Sequence, residues 1–352
     1  MLAEIRLKNF RSYADDSFEF TPGVNIIVGP NASGKTNLLE AILVVSKGSS
    51  YRVKDSELVS FEAEWSRLDT KSLEGAERTV KIVLEPSITK TYELAGKPYK
   101  RLGMGQMLPV VLFEPNHLQM LSGGPERRRN YLDDVLEQTQ IGYGTLRRQY
   151  KRTLAQRNTL LKRPSGDLKT QLFPWNVRLS QLAGQVVRAR ASLVEQIQIT
   201  LPGLYKDLSH VSTVVEARYG SQWPVDSYET NLLKKLETTV DTDKLRGFTS
   251  NGPHREDLIV LFDGHPAQES ASRGEARTLV LALKIIEMKL ITIARDVTPL
   301  LLLDDVFSEL DGARRHALTE QLSNHQTFIT TTDADIVLQH FTDRCNVIPL
   351  TH

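Results

Sequence analysis

The 352-residue chain carries 44 lysines and arginines against 43 aspartates and glutamates, a net charge of +1, with 40% hydrophobic and 25% charged residues. That balance describes a globular protein able to bury a substantial core, and no apolar run is long enough to span a bilayer. The single cysteine, Cys345, excludes an internal disulfide and any cysteine-cluster zinc or iron–sulfur site. Residues 1–6 lack the apolar core of a signal peptide, so a cytoplasmic chain with no membrane partner is expected. Charge is unevenly spread. Residues 126–190 hold fourteen Lys or Arg and five Asp or Glu, leaving thirty basic and thirty-eight acidic residues elsewhere. A basic segment in an otherwise acidic protein is an electrostatic footprint for a polyanion, set against the plainer reading of solvated arginines on helices.

Residues 2–7 alternate apolar and charged side chains, the pattern of a half-buried strand. Asn9-Phe10-Arg11-Ser12-Tyr13 reads as a turn and residues 17–20 as a second strand. A β-branched apolar run, Val24-Asn25-Ile26-Ile27-Val28, then breaks at Gly29. The next residues, Gly29-Pro30-Asn31-Ala32-Ser33-Gly34-Lys35-Thr36, have the G-x-x-x-x-G-K-T spacing of a phosphate-binding loop. Its backbone N–H groups and the following helix terminus cradle a polyphosphate. Lys35 reaches the β- and γ-phosphates, and the Thr36 hydroxyl is placed to ligate Mg²⁺. ATP and Mg²⁺ are therefore the expected cofactors. Two strands leading into the loop strand mark ABC-type ATPases rather than kinases or small GTPases, and in that arrangement Arg11 lies near the nucleotide.

Beyond the first helix, residues 61–65, 78–84 and 89–94 read as antiparallel strands, and 110–113 as a short buried strand. From residue 118 the period becomes helical, with helices expected over 127–138, 146–161 and 174–200. Prolines at 164, 174 and 202 argue against one uninterrupted long helix, and the segment is too short for an extended coiled-coil arm. Residues 211–219 return to strand pattern. The expected organisation is an ATPase head over 1–113 and 210–352, interrupted by a basic helical insertion over 114–209. Arg127, Arg128, Arg147, Arg148, Lys151 and Arg152 are its candidate DNA contacts.

Ser272-Arg273-Gly274-Glu275 opens a strong helix running through Leu279, Leu283, Ile286 and Leu290. A hydroxyl, a close-approach glycine and a helix N-terminus make a second phosphate site. In ABC ATPases such a signature reaches the γ-phosphate held by another copy, which implies a homodimer. Leu300-Leu301-Leu302-Leu303-Asp304-Asp305 is a buried strand ending in two acids. Asp304 fits the metal side of the site and Asp305 the attacking water. Ser308 and Asp311 sit where this class places an interface loop. After the strand at 327–331, Thr332 stands where many ABC ATPases carry a histidine, and Asp305 where most carry a glutamate. Both shortenings imply slow hydrolysis suited to a switch. The fold class is α/β, an ABC-type phosphate-loop ATPase head with a mixed sheet plus an inserted helical lobe.

Together these residues resemble the RecF family of recombinational repair ATPases, relatives of the SMC proteins. The likeness rests on Leu7-Lys8-Asn9-Phe10-Arg11-Ser12-Tyr13, the loop at Gly29 to Thr36, Gly124-Pro125-Glu126-Arg127-Arg128-Arg129, Gly252-Pro253-His254-Arg255, Ser272-Arg273-Gly274-Glu275 and Asp304-Asp305-Val306-Phe307-Ser308-Glu309-Leu310-Asp311. Asn116-His117 and Arg273-Gly274-Glu275 depart from the commoner family residues. The resemblance implies an ATP-driven dimer that binds duplex or gapped DNA and works with RecR and RecO in loading RecA. A structural SMC-like clamp is the alternative. A transporter ATPase subunit is less favoured, because the full signature and the switch histidine are absent.

Overall fold

The computed structural model describes residues 1–163, 167–322, 324–333, 337, 339 and 345–350. The chain divides into two compact units, one formed by Met1–Leu118 with Glu287–His352 and the other by Gln119–Ile286. In chain order the first unit opens with β1 (Leu2–Phe10), β2 (Tyr13–Glu19), β3 (Val24–Val28) and α1 (Lys35–Lys47). It continues with β4 (Trp65–Ser72), β5 (Glu77–Val83), β6 (Thr89–Leu94), β7 (Lys97–Tyr99) and β8 (Val110–Phe113). The second unit holds α2 (Pro125–Thr139), α3 (Tyr143–Leu161), α4 (Leu168–Ser209), β9 (Val215–Gly220), α5 (Tyr228–Thr238), α6 (Val240–Arg246), β10 (Asp257–Phe262), β11 (His265–Pro266) and α7 (Ala267–Ser270). The division falls inside α8 (Arg273–Arg295). The first unit then closes with β12 (Leu300–Asp304), α9 (Val306–Glu309), α10 (Gly312–Leu322), β13 (Thr327–Thr331) and β14 (Cys345–Pro349).

Strands of the first unit separate by pairing type instead of merging into one mixed sheet. A parallel sheet runs β14-β3-β13-β12-β8, and an antiparallel sheet runs β2-β1-β4-β5-β6-β7. Every residue of β12 and β13 is buried, as the unbroken Leu-Leu-Leu-Leu run requires of a strand covered on both faces. In the antiparallel sheet Ile5, Leu7, Leu68, Val80 and Ile82 all face inward and share a core with Leu38, Leu39 and Ile42 of α1. Register brings Asp304 opposite Thr330 and Val28 opposite Thr331. The carboxyl ends of β3, β12 and β13 therefore finish level, at the edge where α/β sheets bind ligands. The strand expected over 61–65 starts only at Trp65; Phe61 lies in a turn, wholly exposed.

Two expectations about the second unit are corrected. Helix α4 spans 42 residues with Pro174 and Pro202 inside it. The prolines remove two backbone donors, but Leu172, Leu179, Leu182, Val186, Leu193 and Leu201 are buried along α4, and that burial outweighs a penalty of roughly 3 kcal/mol per proline. The head also does not resume at residue 210. Strand β9 pairs antiparallel with β10, which pairs with β11, in a sheet of its own. Tyr205 of α4 packs on Phe262 of β10 with ring centroids 5.3 Å apart. Residues 210–286 thus bury their apolar face against the helices and belong with them.

This unit also has a polar interior. Arg157 is fully buried and donates to Asp243, Thr249, Asn176 and the Leu236 carbonyl. Asp133 is held by Arg190 and by the Tyr143 hydroxyl. Glu256 accepts from the hydroxyls of Tyr219 and Tyr228. His254, between the Tyr150 hydroxyl and the Thr249 carbonyl, is driven by burial down to about 4. The Gly252-Pro253-His254-Arg255 stretch is therefore tied into the unit's interior, with the Pro253 carbonyl accepting from Arg190.

Candidate nucleotide site

The loop between β3 and α1 takes its shape from its own backbone. Ala32 and Gly34 adopt left-handed conformations, with φ of 67° and 96°, and the first turn of α1 leaves its N–H groups without intrahelical partners. Pro30, Asn31 and Ala32 form the exposed crest. At Gly29 a Cβ would stand 2.6 Å from Ser33 Oγ and 2.7 Å from the Leu350 carbonyl, so only glycine passes there. The Tyr13 hydroxyl donates to the Gly34 carbonyl over 3.0 Å and props the loop from β2.

Lys35 curls back over the loop, its Nζ donating to the carbonyls of Gly29 and Pro30 at 2.6 and 2.7 Å. Burial lowers its pKa, opposed by the carboxylates of Asp305 and Asp304. The Ser33 hydroxyl is buried and has no hydrogen-bond partner among the described residues. An unmet buried hydroxyl costs about 1–3 kcal/mol, and a phosphate oxygen is the partner that such a cradle fits. The residues present therefore suit a polyphosphate.

The acid strand completes the arrangement. Thr36 donates its hydroxyl to Asp304 Oδ1 at 3.0 Å, joining two residues 268 positions apart. Thr330, at the end of β13, donates to the same oxygen at 2.8 Å and accepts from the Asp305 N–H at 2.9 Å. The Tyr51 hydroxyl donates to Asp304 Oδ2 at 3.2 Å. Burial raises the Tyr51 pKa, with Asp304 and Glu114 adding to the shift, so the hydroxyl stays protonated. Asp305 has a left-handed backbone (φ 51°), so the strand geometry ends at Asp304. One of its oxygens accepts from Ser308 at 2.8 Å. Among the described residues no group of three or more His, Cys, Asp or Glu could hold a metal by itself. A hard cation placed at Thr36 and Asp304 would complete its shell from phosphate oxygens and water.

Several sequence-derived roles change here. Arg11 is engaged on the helix that carries the loop. It donates to both oxygens of Glu40 at 2.8 and 3.2 Å and to the Glu57 carbonyl, and Glu40 is fully buried on α1. It positions the helix that carries the loop. Ser308 orients Asp305, while Asp311 accepts from the Arg314 N–H and caps α10. Ser272 and Glu275 form a reciprocal cap: the Ser272 N–H donates to Glu275 Oε2 at 2.8 Å, and the Glu275 N–H to Ser272 Oγ at 3.3 Å. The signature thus presents a well-ordered helix N-terminus, with Ser272 and Arg273 exposed and Gly274 half-buried behind them.

The DNA candidates divide. Arg128 is buried, paired with Asp257 at 2.6 Å and donating to the carbonyls of Met120, Leu121 and Gly123. Arg147 sits among Asp133, Asp134 and Glu137 at 3.0 to 3.3 Å. Both hold the second unit together, and their charge is spent within it. Arg127, Arg148, Lys151 and Arg152 remain at the surface. Reasoning from sequence missed Tyr51 and Thr330. For Thr330 a signal existed, the threonine run at 330–332 closing a buried strand beside the acid strand; Tyr51 lies in no recognisable motif.

The sequence pattern of a family described as RecF/RecN/SMC N terminal domain matches residues 1–348. A protein named DNA replication and repair protein RecF, from Acetivibrio thermocellus, is 34% identical over 347 residues, covering 94% of this chain and 93% of the relative. A solved structure described as the recombination mediator protein RecF with ATPrS in the RecFOR pathway superposes with a TM-score of 0.88 at 31% identity, over 99% of this chain and 96% of that one. The corresponding RecF–ATP structure gives 0.85 at 30% identity, over 99% and 95%.

Proposed function

Because the chain belongs to the RecF family of DNA replication and repair proteins, and is an ABC-type ATPase of the kind solved with ATP bound, we propose that it is an ATP-switched DNA-binding mediator of recombinational repair. One observation carries this reading. Thr36 of the phosphate loop and Asp304 of the acid strand are already joined by a hydrogen bond beneath Lys35, so the two halves of an ATPase site meet without rearrangement. Gly29 to Thr36 hold the phosphates, and Thr36 with Asp304 hold Mg²⁺, which screens the charge on the transferring phosphoryl group. Asp305, steadied by Ser308, orients the attacking water with its remaining oxygen. The signature at Ser272 to Glu275 meets the γ-phosphate bound by a second copy, giving a two-fold dimer with two ATP molecules between heads. Ser308 and Asp311 lie near that interface. The chain works in the cytoplasm on duplex or gapped DNA, and RecO and RecR are its partners in loading RecA.

The direct test is binding to duplex, single-stranded and gapped DNA with and without ATP. DNA binding indifferent to nucleotide on every substrate would remove the switch. Turnover is expected to be slow, because an aspartate at 305 reaches less far than a glutamate and Thr332 offers no imidazole. Asp305→Asn should leave ATP affinity within about threefold of the parent while slowing hydrolysis roughly a hundredfold or more, the lower end of the usual worth of a positioned base. Hydrolysis at the parent rate would assign the water to another group.

The surface of α3 supplies the DNA contact. Replacing Arg148, Lys151 and Arg152 together with alanine should lower duplex affinity about tenfold and flatten the plot of log affinity against log salt by roughly two to three units, one for each phosphate that no longer meets a cation. All three are exposed, so folding should be unaffected. An unchanged salt slope would mean that DNA lies elsewhere.

A further inference from the structure

We propose that Tyr51 is a positioning residue for the metal-side carboxylate, and that its hydroxyl tunes how tightly Mg²⁺ is held with the nucleotide. The inference rests on the reading of Thr36 and Asp304 as the Mg²⁺ side of the site. A carboxylate held through one oxygen can still rotate about its Cβ–Cγ bond. Thr36 and Thr330 both donate to Asp304 Oδ1, at 3.0 and 2.8 Å, and Tyr51 donates to Oδ2 at 3.2 Å. Hydroxyls on both oxygens fix the plane of the carboxylate, and fixing a ligand's orientation from behind raises its affinity for the metal.

Tyr51 is itself fixed by a chain of interactions that ends on the phosphate-loop helix. Its neighbour Ser50 donates to the buried Glu40 of α1 and accepts from the N–H groups of Arg52 and Val53 at 2.9 and 3.2 Å, which folds the segment back on itself. Glu40 is clamped in turn by Arg11. The Tyr51 ring packs against the apolar core that contains Leu38, Leu39 and Ile42, so the hydroxyl is aimed by a rigid support. One helix, α1, thus carries the Thr36 hydroxyl at its start. Through Glu40 it also carries the segment that brings a third hydroxyl to the same carboxylate.

Tyr51→Phe removes only the hydroxyl and keeps the ring. Binding of a slowly hydrolysed fluorescent ATP analogue would be titrated with Mg²⁺, and repeated in EDTA. The expected result is that the Mg²⁺ concentration for half-maximal tightening rises about tenfold, the usual cost of losing a group that orients a metal ligand, while affinity in EDTA stays as in the parent. Ser50→Ala, which loosens the support without touching Asp304, should shift the same titration in the same direction by less. An unchanged Mg²⁺ titration in Tyr51→Phe would overturn the proposal. So would an equal loss with and without Mg²⁺, since that would make the hydroxyl a packing or nucleotide contact. A parent protein whose affinity ignores Mg²⁺ would overturn the metal assignment itself, a result the EDTA arm separates from failure of Tyr51 alone.

Discussion

Lys35→Ala is expected to lower ATP affinity by two to three orders of magnitude, the loss of about 3–4 kcal/mol from two charge-assisted hydrogen bonds to phosphate. The Lys35 ammonium donates to the carbonyls of Gly29 and Pro30, so its donors already converge on the loop. ATP exchanges those neutral acceptors for charged ones. The alanine variant loses its hold on the phosphates and also the tether across the loop, but nothing in the core. Its melting temperature without nucleotide should therefore stay near that of the parent. Lys35→Arg should fail to rescue, because a planar guanidinium does not fit where only 8% of the lysine is exposed. Titration with a fluorescent ATP analogue decides the matter: a Lys35→Ala protein that binds within about threefold of the parent, under 1 kcal/mol, would remove Lys35 from the site.

The phosphate loop was legible because its chemistry is local. Glycines 29 and 34, Lys35 and Thr36 must stand in fixed register for one backbone to wrap a phosphate, and that register is written in consecutive residues. Strands β8 and β12 were legible for a similar reason, since a strand packed in the middle of a covered sheet reads as a nearly unbroken apolar run, Val-Val-Leu-Phe in one and four leucines in the other. What escaped was set by distant partners. Tyr51 and Asp304 are 253 positions apart, and no pattern announces their meeting. Arg11 was read beside the nucleotide from its place in the first turn, and that the buried carboxylate of Glu40 on α1 would be its partner is announced by no local pattern. Helix α4 overrode its prolines because its apolar stripe had partners from α3, α5 and β9 to pack against. The basic character of residues 126–190 misled most. Arg128, Arg147, Arg157 and Arg190 contribute to the charge count, but each is consumed by an internal carboxylate. Counting charge measures the total, whereas a polyanion meets only what is left at the surface.

Substitutions at Ser272 should separate two jobs that one side chain performs. Its hydroxyl accepts the Glu275 N–H and its own N–H is bound by the Glu275 carboxylate, so it caps α8. In the proposed dimer the same hydroxyl faces the γ-phosphate held by the other copy. Ser272→Ala loses the cap at a cost of about 1 kcal/mol, yet adds no charge, and its dimer with an ATP analogue should be only moderately weakened. Ser272→Asp retains an acceptor at the cap and keeps the helix start ordered, but sets a carboxylate against the γ-phosphate. Ser272→Arg removes the cap and adds bulk. Both charged variants should bind the analogue as monomers with parent affinity, because the phosphate loop and Asp304 belong to the chain's own site. Neither should dimerise at concentrations where the parent is fully dimeric. ADP, which lacks the γ-phosphate, should leave all four proteins monomeric, since a ligand shifts an equilibrium only by its differential affinity for the two states. Analytical ultracentrifugation reads all of these outcomes. The comparison that matters is Asp against Ala, where capping favours Asp and electrostatics favours Ala. If Ser272→Asp dimerised as well as Ser272→Ala, the signature would not face a phosphate across the interface, and the two-fold ATP sandwich would have to be abandoned.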